Sequence, residues 1–524
     1  MAFFQFIVTL LLAAFVCANA IPPPASRMRH GMHKVDVPSY ETKHKYTGAV
    51  LPALDTTYYF DQLIDHNNAS LGTFKQRYWF SYSYYEPGGP ILIMNAGEDD
   101  ASGYIGYLTP ETITGSLAEK LNGTVILLEH RFFGESNPYP DLSETSYKVH
   151  TLQQAIDDHE YFAKNVKLDM PGGDQLGPDK APWILFGGSY PGALTSYTMY
   201  NKPGLFYAGY ASSAVVEAIS NFWGYYEPTR QYMAKNCSAD AEAVIAHVDT
   251  VLNSGNTTAI QGLKANFGLD GVTHDDDFAY ALAVVMQTWQ DLLLYDGSGS
   301  TFFQFCDALE VESDGKVAGP NGWGLEHALA AWGAYYKESF LPSYCGGSSG
   351  ELIAQCFDTY NSSNPAYTDT AVNNWVRSWY WLLCNDFGFW QDGAPKSNPT
   401  LVSRFVTPAY FERQCTYYFP NTFKNPPQTS ADATQTNKLY GGWNVTTEHL
   451  IFLNGERDPW REATVAADGT TNPGTDLQPH LLGEGFHCSD MLIAEGDVNP
   501  SVKAVQQKTL QYYAQWLSEW KPSA

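Results

Sequence analysis

One short segment constrains the fold more than any other feature of this sequence. Residues 183–186 form an apolar run of strand length that ends directly in Gly187-Gly188-Ser189, and a stretch compatible with a helix begins at Tyr190. Small neighbours let the backbone bend sharply at the serine without a side-chain clash. The segment therefore predicts a nucleophile elbow between a buried strand and a helix. Pro191 at the fifth position of the pattern leaves an ordinary glycine-rich turn as the alternative.

Other apolar runs of strand length lie on both sides of this turn. Stretches with helical spacing, such as residues 152–167, separate the earlier runs. Buried strands that alternate with helices indicate a mostly parallel sheet, so we predict an α/β fold. A helix over residues 502–516 is expected to close the chain. The further strand candidates are residues 90–95, 124–129, 206–210, 449–454 and 480–482.

The hydrophobic pattern of the sequence changes between residues 217 and 435, where long helical patterns replace the apolar runs of strand length. We interpret this region as a helical cap domain inserted into a core made of residues 46–216 and 436–524. A separate C-terminal domain is the alternative, and the return of strand patterns after residue 435 disfavours it. Three disulfides with Cys488 left free are the simplest account of the cysteines, although their pairing is not readable from the sequence. The six candidates for pairing are Cys237, Cys306, Cys345, Cys356, Cys384 and Cys415.

The N-terminus predicts a secretory route. Residues 1–20 read as a signal peptide, with an apolar stretch before Ala18-Asn19-Ala20. A membrane anchor is the alternative, but the apolar run is shorter than the ~20 residues that a span needs. Residues 21–45, rich in proline and basic residues, are either a propeptide or a flexible arm. We expect a secreted protein with no membrane-embedded part, or else a vacuolar or lysosomal one. Six glycosylation sequons agree with this route, at Asn68, Asn122, Asn236, Asn256, Asn361 and Asn444.

The charge of the chain disfavours some classes of function. Its 524 residues carry a formal net charge of -26, with a pI of about 4.7. Such a surface repels phosphate backbones, which disfavours nucleic-acid binding. Neither a Cys-x-x-Cys pair nor a His-Glu-x-x-His motif occurs, so we expect no metal and no cofactor. An acidic working pH is a hypothesis from the pI, and the assembly is left open between a monomer and a homodimer.

Candidate partners for Ser189 follow from chain order. Serine is a poor nucleophile until a base takes its proton, and hydrolases of this fold place the partners in the order serine, acid, histidine. Asp458 lies in an acidic loop directly after the strand candidate 449–454. Only His480 and His487 follow it, and His487 lies in a loop rather than at the start of an apolar run. We therefore predict the triad Ser189, Asp458 and His487.

Several motifs resemble one known family. GGSYPG at residues 187–192, NGERDPW at 454–460 and GFHCSDM at 485–491 look like the signatures of the Pro-Xaa serine peptidase family. That family includes lysosomal Pro-Xaa carboxypeptidase, dipeptidyl peptidase II and the fungal prolyl endopeptidases, and the last group looks most similar. The resemblance runs from about residue 58 to the C-terminus. It implies an α/β-hydrolase core with a helical cap, and Ser189, Asp458 and His487 as nucleophile, acid and base.

Further site residues are expected around this triad. The N–H of Tyr190, directly after the nucleophile, should be one donor to the oxyanion. A second donor is expected by position near Gly97, in the loop after the 90–95 strand. The resemblance implies that Trp460 lines a proline pocket. Trp379 and Trp381 are weaker pocket candidates, with ordinary helix packing as the alternative.

Glu98 follows a strand that should end at the active site. In the aminopeptidase branch of the family, an acidic residue near this position resembles a grip on the free amine of the substrate. The alternative is a solvated loop.

The resemblance implies hydrolysis of proline-containing peptides or proteins on the carboxyl side of proline, as by an acid prolyl endopeptidase. The first alternatives are a Pro-Xaa carboxypeptidase and a dipeptidyl aminopeptidase, which would use the same triad. An esterase on the same fold is less favoured because no HGGG oxyanion motif is present. A catalytically silent binding protein is disfavoured because all three triad residues are there.

Overall fold

The computed structural model describes residues 31–37, 42–424 and 433–522. The predicted signal peptide, residues 1–20, lies outside the described residues. Of the predicted propeptide or arm, only residues 31–37 and 42–45 are described. Within the described part of the chain, no helix has the length and apolar character needed to cross a membrane.

An eight-stranded sheet forms the centre of the molecule. Its order is β1-β2-β4-β3-β5-β6-β9-β10; β2 runs antiparallel to both neighbours and the remaining pairs are parallel. A separate parallel pair joins β7 and β8. The strands are β1 Tyr58–Leu63, β2 Thr73–Ser81, β3 Ile91–Asn95, β4 Thr124–Leu128, β5 Trp183–Gly188, β6 Ala208–Ser212, β7 Ile219–Asn221, β8 Gly388–Trp390, β9 Leu450–Gly455 and β10 His480–Gly483.

Seventeen α-helices accompany these strands in the described residues. Five belong to the layers around the large sheet (α1 to α3, α16 and α17), and twelve lie between β6 and β9. Their bounds are α1 Ile113–Leu121, α2 Leu152–Asn165, α3 Tyr190–Asn201, α4 Tyr226–Tyr232, α5 Lys235–Asn253, α6 Thr257–Asn266, α7 Asp275–Gln287, α8 Thr301–Glu310, α9 Leu325–Tyr335, α10 Leu341–Cys345, α11 Gly350–Phe357, α12 Pro365–Thr368, α13 Trp375–Leu382, α14 Pro408–Tyr418, α15 Ala433–Tyr440, α16 Ile493–Val498 and α17 Pro500–Glu519.

Side chains alternate between the two faces of the sheet along each strand, and helices bury both faces. On β3, Ile91 and Ile93 pack into the core that contains α2 and α3, whereas Leu92 and Met94 pack towards α1 and α17. The core on the α2 and α3 side continues into the helices between β6 and β9. A mostly parallel sheet covered on both faces confirms the predicted α/β-hydrolase class.

Three disulfides hold the helical region together, and they confirm the expected number. They join Cys237 to Cys306, Cys345 to Cys356 and Cys384 to Cys415. Cys488 is free and buried, as expected. Because the bridged cysteines lie 11 to 69 residues apart in sequence, each bridge closes a loop within the helical region.

Candidate active site

The nucleophile candidate lies at the carboxyl end of β5, where the chain turns into α3. Ser189 has φ 62° and ψ -129°, a backbone conformation that is costly for any residue except glycine. Its N–H donates a hydrogen bond to Ser212 O at 2.9 Å, which ties the turn to the end of β6. Its side chain therefore lies at the edge of the sheet where the parallel strands end.

The glycines around Ser189 are required by close backbone contacts. A Cβ atom on Gly187 would lie 2.1 Å from Pro191 O, and one on Gly192 would lie 2.7 Å from Ser212 O. Pro191 in turn packs against Gly97, where a Cβ would lie 2.3 Å from Pro191 Cγ. Close contacts thus require glycine at positions 187 and 192, and Pro191 fits because its ring packs where Gly97 has no side chain.

Asp458 and His487 are in direct contact at the ends of the neighbouring strands. The distance from His487 Nδ1 to Asp458 Oδ1 is 3.0 Å, and the Trp460 N–H donates to the same oxygen at 2.8 Å. Both side chains are buried. Burial lowers the pKa of His487, but the Asp458 carboxylate and the neighbouring Cys488 together outweigh burial, so this pKa lies well above its usual range. The carboxylate therefore stabilises the imidazolium that forms when this ring takes a proton.

The loop that carries His487 is fixed to the end of β6. The Cys488 N–H donates to Ser213 Oγ at 3.0 Å. The buried Asp490 carboxylate accepts hydrogen bonds from Ser212 Oγ at 2.8 Å and from Tyr210 Oη at 2.5 Å. Because Ser212 O also accepts from Ser189, the same strand end holds both the nucleophile turn and the histidine loop.

The neighbours of Ser189 and His487 are in contact, and no hydrogen bond joins the two candidate side chains in this structure. A Cβ on Gly188 would lie 3.0 Å from Cys488 Sγ, so the residue before the nucleophile faces the residue after the histidine. His487 Nε2 is buried and has no hydrogen-bond partner. Catalytic hydrogen bonds in substrate-free hydrolases commonly tighten only when substrate binds. Nε2 is therefore the ring nitrogen that Asp458 does not engage.

The two predicted oxyanion donors differ in their surroundings. Tyr190 is the first residue of α3, and an N–H at that position has no partner within the helix. The Gly97 N–H, in contrast, donates to Asn95 Oδ1 at 2.8 Å. The Gly97 N–H is thus already engaged by a neighbouring side chain, which departs from the expectation for this residue. Glu98 is the next residue in the same loop.

Glu98 is buried rather than solvated, so the solvated-loop alternative is wrong. Its side chain is 2% exposed, and neither carboxylate oxygen has a hydrogen-bond partner. Burial raises the pKa of Glu98 to about 8, and neighbouring Asp99 adds to the rise. At neutral and acidic pH this group is therefore mainly a neutral carboxylic acid. Asp99 is partly exposed and forms an ion pair with Lys34 at 2.6 Å.

Trp460 lies in a cluster of aromatic rings beside the triad. Its ring centroid is 5.5 Å from that of Phe222, 5.3 Å from Tyr225, 5.3 Å from Phe389 and 6.4 Å from His487. Phe222, Tyr225 and Phe389 were not found by sequence reasoning, because they come from two distant segments and carry no local motif. The cluster can offer an apolar, ring-lined surface to a substrate.

The helical region fixes the orientation of this tryptophan. Gln290 Oε1 accepts hydrogen bonds from Trp460 Nε1 at 2.7 Å and from Tyr225 Oη at 3.0 Å. The neighbouring Trp289 donates to Arg457 O at 2.7 Å and packs its ring 5.2 Å from that of Phe486. The segment at the end of α7 thus contacts both loops that carry the acid and the histidine.

The two other tryptophan candidates lie in different places. Trp379 packs its ring 5.3 Å from that of Tyr190, next to the nucleophile. Trp381 donates to His150 O at 3.0 Å and stacks on Tyr147 at 5.2 Å. Trp381 therefore joins the helical region to the core, which is the packing role named as the alternative. Arg131 also has a structural role, since it forms a buried ion pair with Asp158.

The six sequon asparagines all lie at accessible positions. Asn122 and Asn236 are half-buried, and the other four are exposed: Asn68, Asn256, Asn361 and Asn444. Among the residues that the structure describes, no group of three or more histidine, cysteine, aspartate or glutamate side chains is arranged to hold a metal ion.

Comparisons with known proteins identify relatives over most of the chain. The model of the family described as serine carboxypeptidase S28 matches residues 62–509. The serine protease vicPa of Bipolaris victoriae is 37% identical over 88% of this chain and 88% of that protein. A protein of Arthroderma benhamiae named "Probable extracellular serine carboxypeptidase" is 30% identical over 97% of this chain and 73% of its own length. The thymus-specific serine protease of Homo sapiens is 26% identical over 90% and 88%, respectively.

Proposed function

Because the chain is a serine-type peptidase of the serine carboxypeptidase S28 family, we propose that it cleaves peptide bonds on the carboxyl side of proline. The reaction uses Ser189, Asp458 and His487. The observation that carries the proline preference is the aromatic cluster around Trp460, whose ring lies 6.4 Å from that of His487. A proline ring is compact and apolar, so it is held by flat aromatic walls without needing a hydrogen-bond partner.

The proposed mechanism has two matched halves. His487 Nε2 takes the proton of Ser189 Oγ while Oγ attacks the carbonyl carbon of the proline residue. The resulting imidazolium then gives that proton to the leaving amine, the C–N bond breaks and an acyl-enzyme remains. Water then takes the place of Ser189 in a second, equivalent step. His487 takes a proton from the water molecule while the water oxygen attacks the ester carbonyl. The ester bond breaks, and the imidazolium returns the proton to Ser189 Oγ. Asp458 holds the imidazole tautomer throughout.

Two backbone N–H groups are proposed to bind the oxyanion. One is that of Tyr190, which has no partner within its helix. The other is that of Glu98 rather than Gly97, because the Gly97 N–H already donates to Asn95. Losing one such donor typically lowers turnover by ~10²–10³-fold.

The favoured activity is that of a prolyl endopeptidase, and one observation supports an exopeptidase as the second candidate. Glu98 is a buried carboxyl group without a hydrogen-bond partner beside the triad. Such a group could bind the terminal amine of a substrate, as a dipeptidyl aminopeptidase requires. In its neutral form it could equally donate to a terminal carboxylate, as a Pro-Xaa carboxypeptidase requires.

We also propose that the protein acts outside the cell on proline-containing peptides or proteins. The relative named as an extracellular carboxypeptidase supports this location, as do the accessible sequon asparagines. Nucleic acids and membranes are not expected as partners, given the net charge of -26.

Digestion of a peptide with one internal proline, blocked at both ends, tests the activity directly. Mass spectrometry should show cleavage after the proline. If only an unblocked twin is cleaved, with loss of a terminal residue or dipeptide, the exopeptidase candidate replaces the endopeptidase. If neither peptide is cleaved after proline but alanine peptides are, the proline preference is wrong.

A further inference from the structure

The first residues of the segment 31–37, above all the buried Met32, lie against the loops that carry the triad candidates. We propose that the segment is autoinhibitory, so that the chain is an inactive precursor until these residues are removed. The proposal rests on the triad proposed above, because it concerns the regulation of that site. The inhibitor is a part of this chain. Its removal from the active site requires hydrolysis of one peptide bond between residue 37 and residue 42.

Met32 anchors the segment beside the residues that flank the predicted nucleophile and base. It is 4% exposed and belongs to the same apolar cluster as Cys488 and Met491. A Cβ on Gly188 would lie 2.8 Å from Met32 Cγ. Gly188 precedes Ser189 and Cys488 follows His487, so Met32 packs between the two loops that bring nucleophile and base together.

Polar contacts fix the residues that follow Met32. Tyr107 Oη donates to His33 O at 3.0 Å, and Lys34 Nζ pairs with Asp99 Oδ2 at 2.6 Å. The segment also lies directly on the 3-10 helix Ala101–Leu108, because a Cβ on Gly106 would lie 2.2 Å from Val35 O. Residues 33–35 are therefore held by the chain that follows β3.

Gly31 covers the carboxyl group of Glu98. A Cβ at Gly31 would lie 3.3 Å from Glu98 Oε1, and Glu98 has no hydrogen-bond partner for either oxygen. Ser189 is only 4% exposed and His487 only 1%. A peptidase must admit an extended chain to its nucleophile, so the site as seen here is covered.

A cavity of about 510 Å³ lies outside the segment. Gly31, Met32, His33 and Lys34 form one wall, and the helical region contributes Gln290, Asp291 and Trp375. Neither Ser189 nor His487 lines this cavity. The segment thus separates a space large enough for several substrate residues from the reacting atoms.

Covalent labelling of Ser189 tests the proposal without assuming any peptide specificity. Residues 38–41 are replaced by the recognition site of a sequence-specific protease in the full chain. The protein is labelled with a fluorophosphonate before cleavage, and again after cleavage and gel filtration. We expect labelling of Ser189 to become at least 10-fold faster once the segment is removed.

Equal labelling rates in the two forms would show that the segment belongs to the active fold, and the proposal would be wrong. Labelling of another serine in both forms would instead contradict the nucleophile assignment, and with it this inference. Blocked proline peptides are not needed for either outcome, so an error in the proposed specificity is recognised separately.

Point variants of the uncleaved chain give a second test that does not depend on the cleaved form staying folded. Met32→Asp places a charge in the apolar anchor site and Lys34→Glu opposes Asp99, so both should label at least 10-fold faster than the parent. Lys75→Glu is the matched control, because Lys75 pairs with Asp61 at 2.7 Å on the exposed surface far along the sheet. Unchanged labelling in all three variants, with unchanged thermal unfolding, would overturn the proposal.

Discussion

At the scale of single residues, Ser189 shows how the structure supports an unfavourable backbone. Its φ of 62° is maintained by the hydrogen bond to Ser212 O and by glycines that allow the turn to pack closely. Such strain positions the Oγ atom at the strand end and is commonly found at reactive sites. Alanine at position 189 would have the same backbone preference as serine, so its substitution removes the chemistry with little effect on the turn.

Ser189→Ala is therefore expected to lower kcat by roughly 10⁴-fold or more, as in other triads, with an unchanged melting temperature. Turnover of a proline peptide and thermal unfolding measure the two effects. Ser397→Ala is the control, since Ser397 is exposed and contacts only Asn398. Residual activity within 10-fold of the parent would refute the nucleophile assignment.

Substitutions at Trp460 and Trp381 provide a matched test and control for the proposed proline pocket. Trp460→Ala should lower kcat/KM for proline peptides by roughly 10- to 200-fold relative to alanine peptides, the range for lost apolar pocket contacts. Trp381→Ala should lower the melting temperature but leave the proline-to-alanine ratio within about twofold, because Trp381 packs on Tyr147 away from the triad. Steady-state kinetics with paired peptides give the ratio, and the reverse pattern would move the pocket to Trp381.

At the scale of elements, the helices between β6 and β9 are part of the site. Gln290, just after α7, accepts a hydrogen bond from Trp460 and so orients it. The Leu294 N–H donates to the Glu495 carboxylate at 3.0 Å, next to the histidine loop. The helical region therefore holds the active geometry as well as covering it. Its disulfides should influence how firmly that geometry is maintained.

Removing the Cys237–Cys306 bridge should destabilise the protein more than removing Cys345–Cys356. The bridged residues are 69 and 11 positions apart, and all four cysteines are buried. Loop entropy in the unfolded chain predicts a difference of about 1–2 kcal/mol in the free energy of unfolding. Paired Cys→Ser variants compared by urea unfolding would measure it, and an equal or reversed loss would show that native packing outweighs loop length.

At the scale of the whole molecule, acidic groups are both abundant and buried. Six carboxyl groups have pKa values that burial raises to about 7 or 8, far above the ~4 of an unfolded chain. Through these groups the folded protein binds more protons than the unfolded chain between about pH 4 and pH 8. Buried histidines such as His130, whose pKa burial lowers to about 4, act in the opposite sense below about pH 6.5, but they are fewer than the carboxyl groups. The carboxyl groups are Glu98, Asp277, Glu310, Asp386, Asp392 and Glu495.

The sign of this linkage predicts greatest stability in mild acid. Stability falls with rising pH wherever the folded state holds more protons, and the growing net negative charge acts in the same direction. The melting temperature should be higher at pH 5 than at pH 8. Glu310→Gln, which keeps the shape of a buried side chain outside the active site, should reduce this slope. A melting temperature that rises from pH 5 to pH 8 would contradict the prediction.

Much of the fold and of the candidate site followed from local patterns. The strand at 183–186 ends in a turn whose glycines the backbone requires, and the closing helix predicted at 502–516 is Pro500–Glu519. Asp458 and His487, chosen by chain order and loop position, are in contact at 3.0 Å. These features depend on residues close in sequence, where periodicity and turn chemistry act directly.

What the sequence determined by itself is thus the layered α/β core, the strained serine turn and the order of its partners. Only the tertiary structure decided that Glu98 is buried without a hydrogen-bond partner and that Phe222, Tyr225 and Phe389 surround Trp460. It also placed the buried Met32 against Gly188, the residue before the predicted nucleophile. The physical reason is that desolvation and ring packing arise between segments hundreds of residues apart, and no local pattern encodes those contacts.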